Sequence, residues 1–161
     1  MNKPHILEDV LKLMEQLRGP DGCPWDREQD HISLKRNLLE ECYEFLEAVD
    51  LDDPKRMSEE LGDLLIQVVF HAQIAKEADR FTIEDVARGT IDKLVKRHPH
   101  VFADPAAKST EDVRANWDLI KEKERGKTSI LIGVPKDMPA LLRSQLIQDR
   151  AARAGFDWEN V

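Results

Sequence analysis

Cysteine is scarce in this chain: Cys23 and Cys42 are the only two in 161 residues. Two cysteines set nineteen residues apart make neither a disulfide framework nor a structural zinc site, so a reducing cytoplasm is the expected compartment. Long hydrophobic runs are missing too. Met1 to Val10 contains no apolar signal core, and the longest apolar stretch, Leu64 to Ala75, is interrupted by Gln67, His71 and Gln73, which predicts no membrane span. The chain also lacks a basic excess. Its 24 Lys and Arg stand against 32 Asp and Glu, a formal charge of -8, with acids concentrated between Glu40 and Asp63. That balance argues against a broad phosphate-binding surface for duplex nucleic acid. A small anionic ligand brought in by a metal ion stays open.

What is present favours helix. Charged residues make up 35% and apolar residues 41%, against 6% aromatic, a balance rich in Leu, Glu, Lys, Ala and Arg. The expected fold is all-α, a bundle of four to five helices in a chain long enough to bury a core without cross-links. Apolar residues from Ile6 to Leu17 recur at helical spacing, and Gly19-Pro20 ends the pattern. Gly19 to Asp30 reads as an ordered loop in which Cys23, Pro24 and Trp25 have surface to bury. A second helix is expected from about Ile32 to Asp50. Asp53 can cap a third helix with Pro54 in its first position, and this helix, carrying Leu61, Leu64, Leu65, Val68, Val69, Ala72 and Ile74, should be the most buried. Thr82 with Asp85 forms a variant capping box for a fourth helix, Ile83 to about Arg97, ended by His98-Pro99. Ser109 to Asp112 starts a fifth, through Trp117 to Lys123. Gly126 to Asp137 is glycine- and proline-punctuated, and Met138 to Gly155 is helical again.

Two acidic clusters carry the chemistry: Glu40-Glu41-x-x-Glu44 and Glu60-x-x-Asp63. On a helix the first three carboxylates span about 100° of arc, and the second pair stands about 60° apart. Like charges at this spacing repel by a few tenths of a kcal/mol, roughly 0.2–0.5 per pair, so the arrangement costs stability until a cation binds. A hairpin of the second and third helices would bring the two acidic faces together. Hard oxygen donors suit Mg²⁺ held between carboxylates and substrate phosphates, with Mn²⁺ as a possible substitute, better than Zn²⁺. The competing reading is two solvated acidic faces. Against it, Glu40, Glu41 and Glu44 are interleaved with Leu38, Leu39, Phe45 and Leu46, and Asp63 lies inside an apolar run, where unpaired carboxylates are rare.

Four motifs in order, Gly22-Cys23-Pro24-Trp25-Asp26, Glu40-Glu41-x-x-Glu44, Glu60-Leu61-Gly62-Asp63-Leu64-Leu65 and Lys93-Leu94-x-x-Arg97-His98-Pro99-His100-Val101-Phe102, resemble the MazG nucleoside triphosphate pyrophosphohydrolases over nearly the whole chain. The acidic core is shared with other all-α NTP pyrophosphatases, whereas the Cys-Pro-Trp-Asp and Arg-His-Pro-His-Val-Phe pieces resemble MazG itself. The resemblance implies a protomer that completes its core as a homodimer or a dimer of dimers, binds Mg²⁺, and hydrolyses nucleoside triphosphates to monophosphate and pyrophosphate. By the same resemblance Glu41, Glu44, Glu60 and Asp63 would hold metal, and Glu40 or Glu41 would activate water. Lys93 and Arg97 match phosphate-binding positions, and Trp117 with Lys121 matches an element near the nucleotide. Lys35 is a further candidate for a phosphate contact. Each of these cations can equally be an ordinary surface charge, and Trp117 a core residue.

The resemblance places the hydrolase domain at residues 1–125. Residues 126–161 resemble the linker and lead-in to a second MazG domain, and no second Glu-Glu-x-x-Glu cluster follows, so the chain reads either as a one-domain form or as part of a two-domain protein. Two other functions compete with a house-cleaning enzyme of broad or noncanonical nucleotide preference. One is a relative dedicated to a single substrate such as dUTP, dCTP or phosphoribosyl-ATP. The other is a catalytically weak domain that binds nucleotide or mediates dimerisation.

Overall fold

The computed structural model describes residues 6–103, 109, 110, 112, 113, 116, 117, 120 and 129–156. Every regular element among them is helical, as the composition predicts: α1 (Ile6–Arg18), α2 (Pro24–Glu28), α3 (Lys35–Asp50), α4 (Pro54–Glu77), α5 (Ile83–Arg97), α6 (Pro99–Phe102) and α7 (Ala140–Arg153). Two compact units divide the chain, residues 1–93 and 94–161.

The first unit is organised around the α3–α4 hairpin, and its turn follows from two aspartates. After α3, Asp52 adopts φ +50°, while the Asp52 and Asp53 amides donate back to the Val49 and Ala48 carbonyls, both at 3.1 Å. This is a Schellman closure with Asp in the left-handed position usually given to Gly. Asp53 then starts α4 at once, its Oδ1 accepting from the Lys55 and Arg56 amides at 3.1 Å each, with Pro54 in the first turn, where a missing N–H costs nothing. One helix is closed and the next opened within two residues, so α3 and α4 must run antiparallel and side by side.

Met14 of α1, Leu34 at the entry to α3, and Val69 and Phe70 of α4 form the buried cluster, with Val10, Leu11, Ile66 and Ile74 packed on it. Burying such a side chain contributes roughly 1.5–3 kcal/mol. Arg18 locks α1 to α4 at the edge of this core. Its guanidinium, buried to 7% exposure, meets Glu77 at 2.7 Å, lies 5.3 Å from the Phe70 ring centroid, and donates to the carbonyls of Asp26 and Gln29. A second pair, Lys76 with Glu15 at 3.1 Å, ties the same two helices.

Most local expectations hold. Pro24 and Trp25, expected to bury against the bundle, are exposed, Trp25 to 54%, and residues 99–102, expected as loop, form α6. Three further shifts stand beside these. The loop after α1 contains a short helix, α2, because Pro24 supplies a preset φ and Asp26 an acid for its first turn. Helix α3 begins at Lys35 and not Ile32, since residues 31–34 are held in a turn by the Asp30 side chain, which accepts from the Ile32 and Ser33 amides at 2.8 and 2.7 Å. The third difference concerns α4, which has more buried residues than any other helix, yet Leu61, Leu65 and Val68 stay 52%, 38% and 46% exposed. Its apolar surface is wider than the rest of the chain covers.

The capping box before α5 is formed. The Thr82 amide donates to Asp85 Oδ2 at 2.8 Å, and the Asp85 amide to Thr82 Oγ1 at 3.3 Å. In the second unit, Ser109 and Asp112 make the same reciprocal pair. Arg150 of α7 holds the preceding loop by donating to the carbonyls of Ile130, Ile132 and Gly133.

Candidate metal and nucleotide site

Packing α3 against α4 turns two intrahelical spacings into one site. A carboxylate oxygen from each of Glu41, Glu60 and Asp63 lies within 4.8 Å of the others. Glu60 is buried at 7% exposure, Glu41 is half-buried and Asp63 is exposed, so the group opens from the helix interface towards solvent. Glu60 keeps one cationic neighbour, Arg56 Nε at 3.4 Å, and the same guanidinium reaches Glu47 at 2.6 Å.

The electrostatics record the crowding. Burial first, and then the charges of Asp63, Glu44, Glu60 and Glu40 in that order, raise the Glu41 carboxyl above its ordinary value. All five predicted acids therefore interact, although only three converge. Glu44 and Glu40 are exposed and stand outside the converging group. Glu40 is turned to Arg36, whose Nε is 2.8 Å away. A donor set made only of carboxylate oxygens, in which like charge penalises ionisation, fits a hard divalent cation of the Mg²⁺ or Mn²⁺ class. It offers no nitrogen or sulfur to favour zinc.

The other predicted residues fall as follows. Lys35 opens α3 and Lys93 lies near the end of α5, both exposed. In the second unit Arg97 and Trp117 are together, the guanidinium 5.5 Å from the ring centroid, and His98 meets the same indole edge-on at 5.0 Å. Lys121 lies outside the described residues. Sequence reading gave no role to His31, yet its ring meets His71 of α4. No spacing rule links positions forty residues apart, and only the hairpin brings them together.

Residues 29–102 match the MazG nucleotide pyrophosphohydrolase domain family. The chain is 50% identical over 157 residues to the nucleoside triphosphate pyrophosphohydrolase/pyrophosphatase MazG of Thermotoga maritima, covering 96% of this chain and 60% of that one. It is 46% identical over 159 residues to the nucleoside triphosphate pyrophosphohydrolase of Escherichia coli K12, again covering 96% and 60%. The chain thus spans about 60% of the length of these two curated relatives. Among solved structures, a MazG-related protein from Thermotoga maritima superposes with a TM-score of 0.61 at 28% identity, over 71% of this chain and 98% of that one.

Proposed function

Because residues 29–102 belong to the MazG nucleotide pyrophosphohydrolase family, we propose that this protein hydrolyses nucleoside triphosphates, canonical or noncanonical, to the monophosphate and pyrophosphate with Mg²⁺. The observation that carries this reading is the convergence of Glu41, Glu60 and Asp63 within 4.8 Å. Glu41, Glu60 and Asp63 would hold the ion, with Glu44 alongside. When bound, it supplies charge neutralisation for the triphosphate and a more acidic water. Glu40 or Glu41 would accept the water's proton. Lys35, Lys93, Lys121 and Arg97 are our candidates for phosphate contacts, and Trp117 for the base.

No helix among the described residues is long and apolar enough to cross a membrane, which suits the cytoplasmic nucleotide pool as the setting. We further infer a homodimer. Leu39, Tyr43 and Leu46 on α3 are 56%, 56% and 53% exposed and share one helical face, as do Leu61, Leu65 and Val68 on α4. Two adjacent apolar stripes on a hairpin are the kind of surface a second copy buries.

Purified protein with Mg²⁺, and separately Mn²⁺, tested on a panel of NTPs and dNTPs should release pyrophosphate and monophosphate. Release of inorganic phosphate would mean a different scissile bond. No turnover on any nucleotide with either ion would leave a binding domain in place of an enzyme. Light scattering should give twice the 18.5 kDa protomer mass; a monomer would remove the dimer.

A further inference from the structure

His31 and His71 stand outside the acidic group and meet nitrogen to nitrogen. Their Nδ1 atoms are 2.9 Å apart, their ring centroids 5.1 Å apart and their planes inclined by 12°. The centroid separation is close to the nitrogen separation plus two ring radii, so the rings are nearly coplanar and head-on, not face to face. Their Nδ1 lone pairs point at one another. That disposition cannot chelate a metal ion, which needs lone pairs converging on a third point. It suits a single N–H···N hydrogen bond in which one ring donates and the other accepts.

Proton counting follows. Two neutral rings can make this bond, and so can one imidazolium with one imidazole, where the bond is charge-assisted. Two imidazolium rings cannot, because each then carries an N–H on Nδ1. Burial first, and then the His31 charge, lower the proton affinity of His71, consistent with resistance to the second proton. The surrounding charges act in the same direction or are balanced. On α1, Arg18 lies over Phe70, next to His71 in sequence, and grips the Gln29 carbonyl. The Arg18–Glu77 and Glu15–Lys76 pairs lie more than a turn further along α4. Lys35 and Arg36 open α3. Asp30 is beside His31 in sequence, and its carboxylate is already held by the Ser33 and Ile32 amides.

The bond ties the turn that launches α3 to the middle of α4. Leu34, at 1% exposure, is the next buried residue of that turn, and the Leu34 and Lys35 amides donate within it to the Asp30 and Ile32 carbonyls. We propose that His31 and His71 are positioning residues forming a proton-limited latch, which fixes where α3 leaves its turn relative to α4 and opens when both rings are protonated. The latch acts on the geometry of the helices bearing Glu41 and Glu60, and its test needs no turnover.

Imidazole nitrogen resonances of the full chain, followed from pH 8 to about pH 5, should show two separated, coupled steps. His31→Asn should leave His71 titrating in one step nearer the ordinary value. Amide protection at Leu34 and Lys35, measured against the intrinsic exchange rate at each pH, should fall about two- to tenfold across the second step, the equivalent of one lost hydrogen bond. In His71→Asn, whose amide can still bond and does not titrate, protection should persist at acid pH. Independent titration of the two rings in the wild type would overturn the proposal, as would unchanged amide protection across the second step. Both readings use unmodified protein, so they decide the matter even if a variant fails to fold.

Discussion

Replacing Glu41 with Gln should make the metal-free protein more stable while removing its response to Mg²⁺. Glu41 faces Glu60 and Asp63 across no more than 4.8 Å. At that separation each like-charge pair costs about 0.9 kcal/mol at the dielectric of water and about 3.5 kcal/mol at an effective value near 20. Asp63 is exposed and Glu41 only half-buried, so solvent and salt hold the real cost near the lower figure. Two such pairs give about 1–2 kcal/mol. For a chain of this size that is a rise in Tm of roughly 2–8 °C, at about 2–4 °C per kcal/mol.

Linkage supplies an internal check. The folded-state pKa of Glu41 is raised, so near that value the folded protein binds more protons than the unfolded chain. Wild-type apo stability should therefore fall as pH rises through the range between the ordinary carboxylate value and the raised one. In Glu41→Gln that decline should be gone. With Mg²⁺ in hundredfold excess over Kd the wild type should gain about 2.7 kcal/mol and overtake the variant. The assay is thermal unfolding in EDTA and across a Mg²⁺ titration. A variant less stable than wild type in EDTA would make Glu41 a structural acceptor. An equal Mg²⁺-induced gain in both proteins would mean that it is not a ligand.

Mg²⁺ binding should release protons and weaken on acidification at pH values above the usual carboxylate range, because Glu41 must ionise to bind; calorimetry in two buffers of different ionisation enthalpy checks this. Arg18→Met should cost about 1–3 kcal/mol in urea unfolding, since it leaves the carbonyls of Asp26 and Gln29 without their donor and Glu77 with Gln73 in place of a cation. The same change should flatten part of the acid limb of stability. Arg18 holds the Glu77 carboxyl below its ordinary value, so that contribution is complete above the ordinary pKa and is lost as pH falls through the lowered one. Gly22→Ala should be destabilising by about 1–3 kcal/mol, because a Cβ there would collide with the Leu17 and Gln16 carbonyl oxygens. Asp53→Ala should cost about 1 kcal/mol by uncapping α4.

The residues that punctuate this chain were legible because their chemistry is local. Asp53-Pro54, Thr82 with Asp85, and Ser109 with Asp112 each act within four residues, and the first two start the helices their sequence predicts. Where local reading slipped, a nonlocal or competing bond was responsible. Asp30 captures two amides that a helix starting at Ile32 would have used differently, and Leu61, Leu65 and Val68 of α4 stay exposed although their apolar run predicts burial.

Of the candidate site, sequence alone determined the inventory: five acids at helical spacing, no competing soft ligands, and family motifs in order, all consequences of residue identity and the fixed angle per residue of a helix. Tertiary structure decided the membership. Closure of the Asp52–Asp53 turn sets the register of α3 against α4, and that register selects Glu41, Glu60 and Asp63 to converge while Glu40 turns to Arg36 and Glu44 stays outside. The same register brings His31 to His71. Angles within a helix are written in the chain, but distances between helices depend on how two packed surfaces settle against each other.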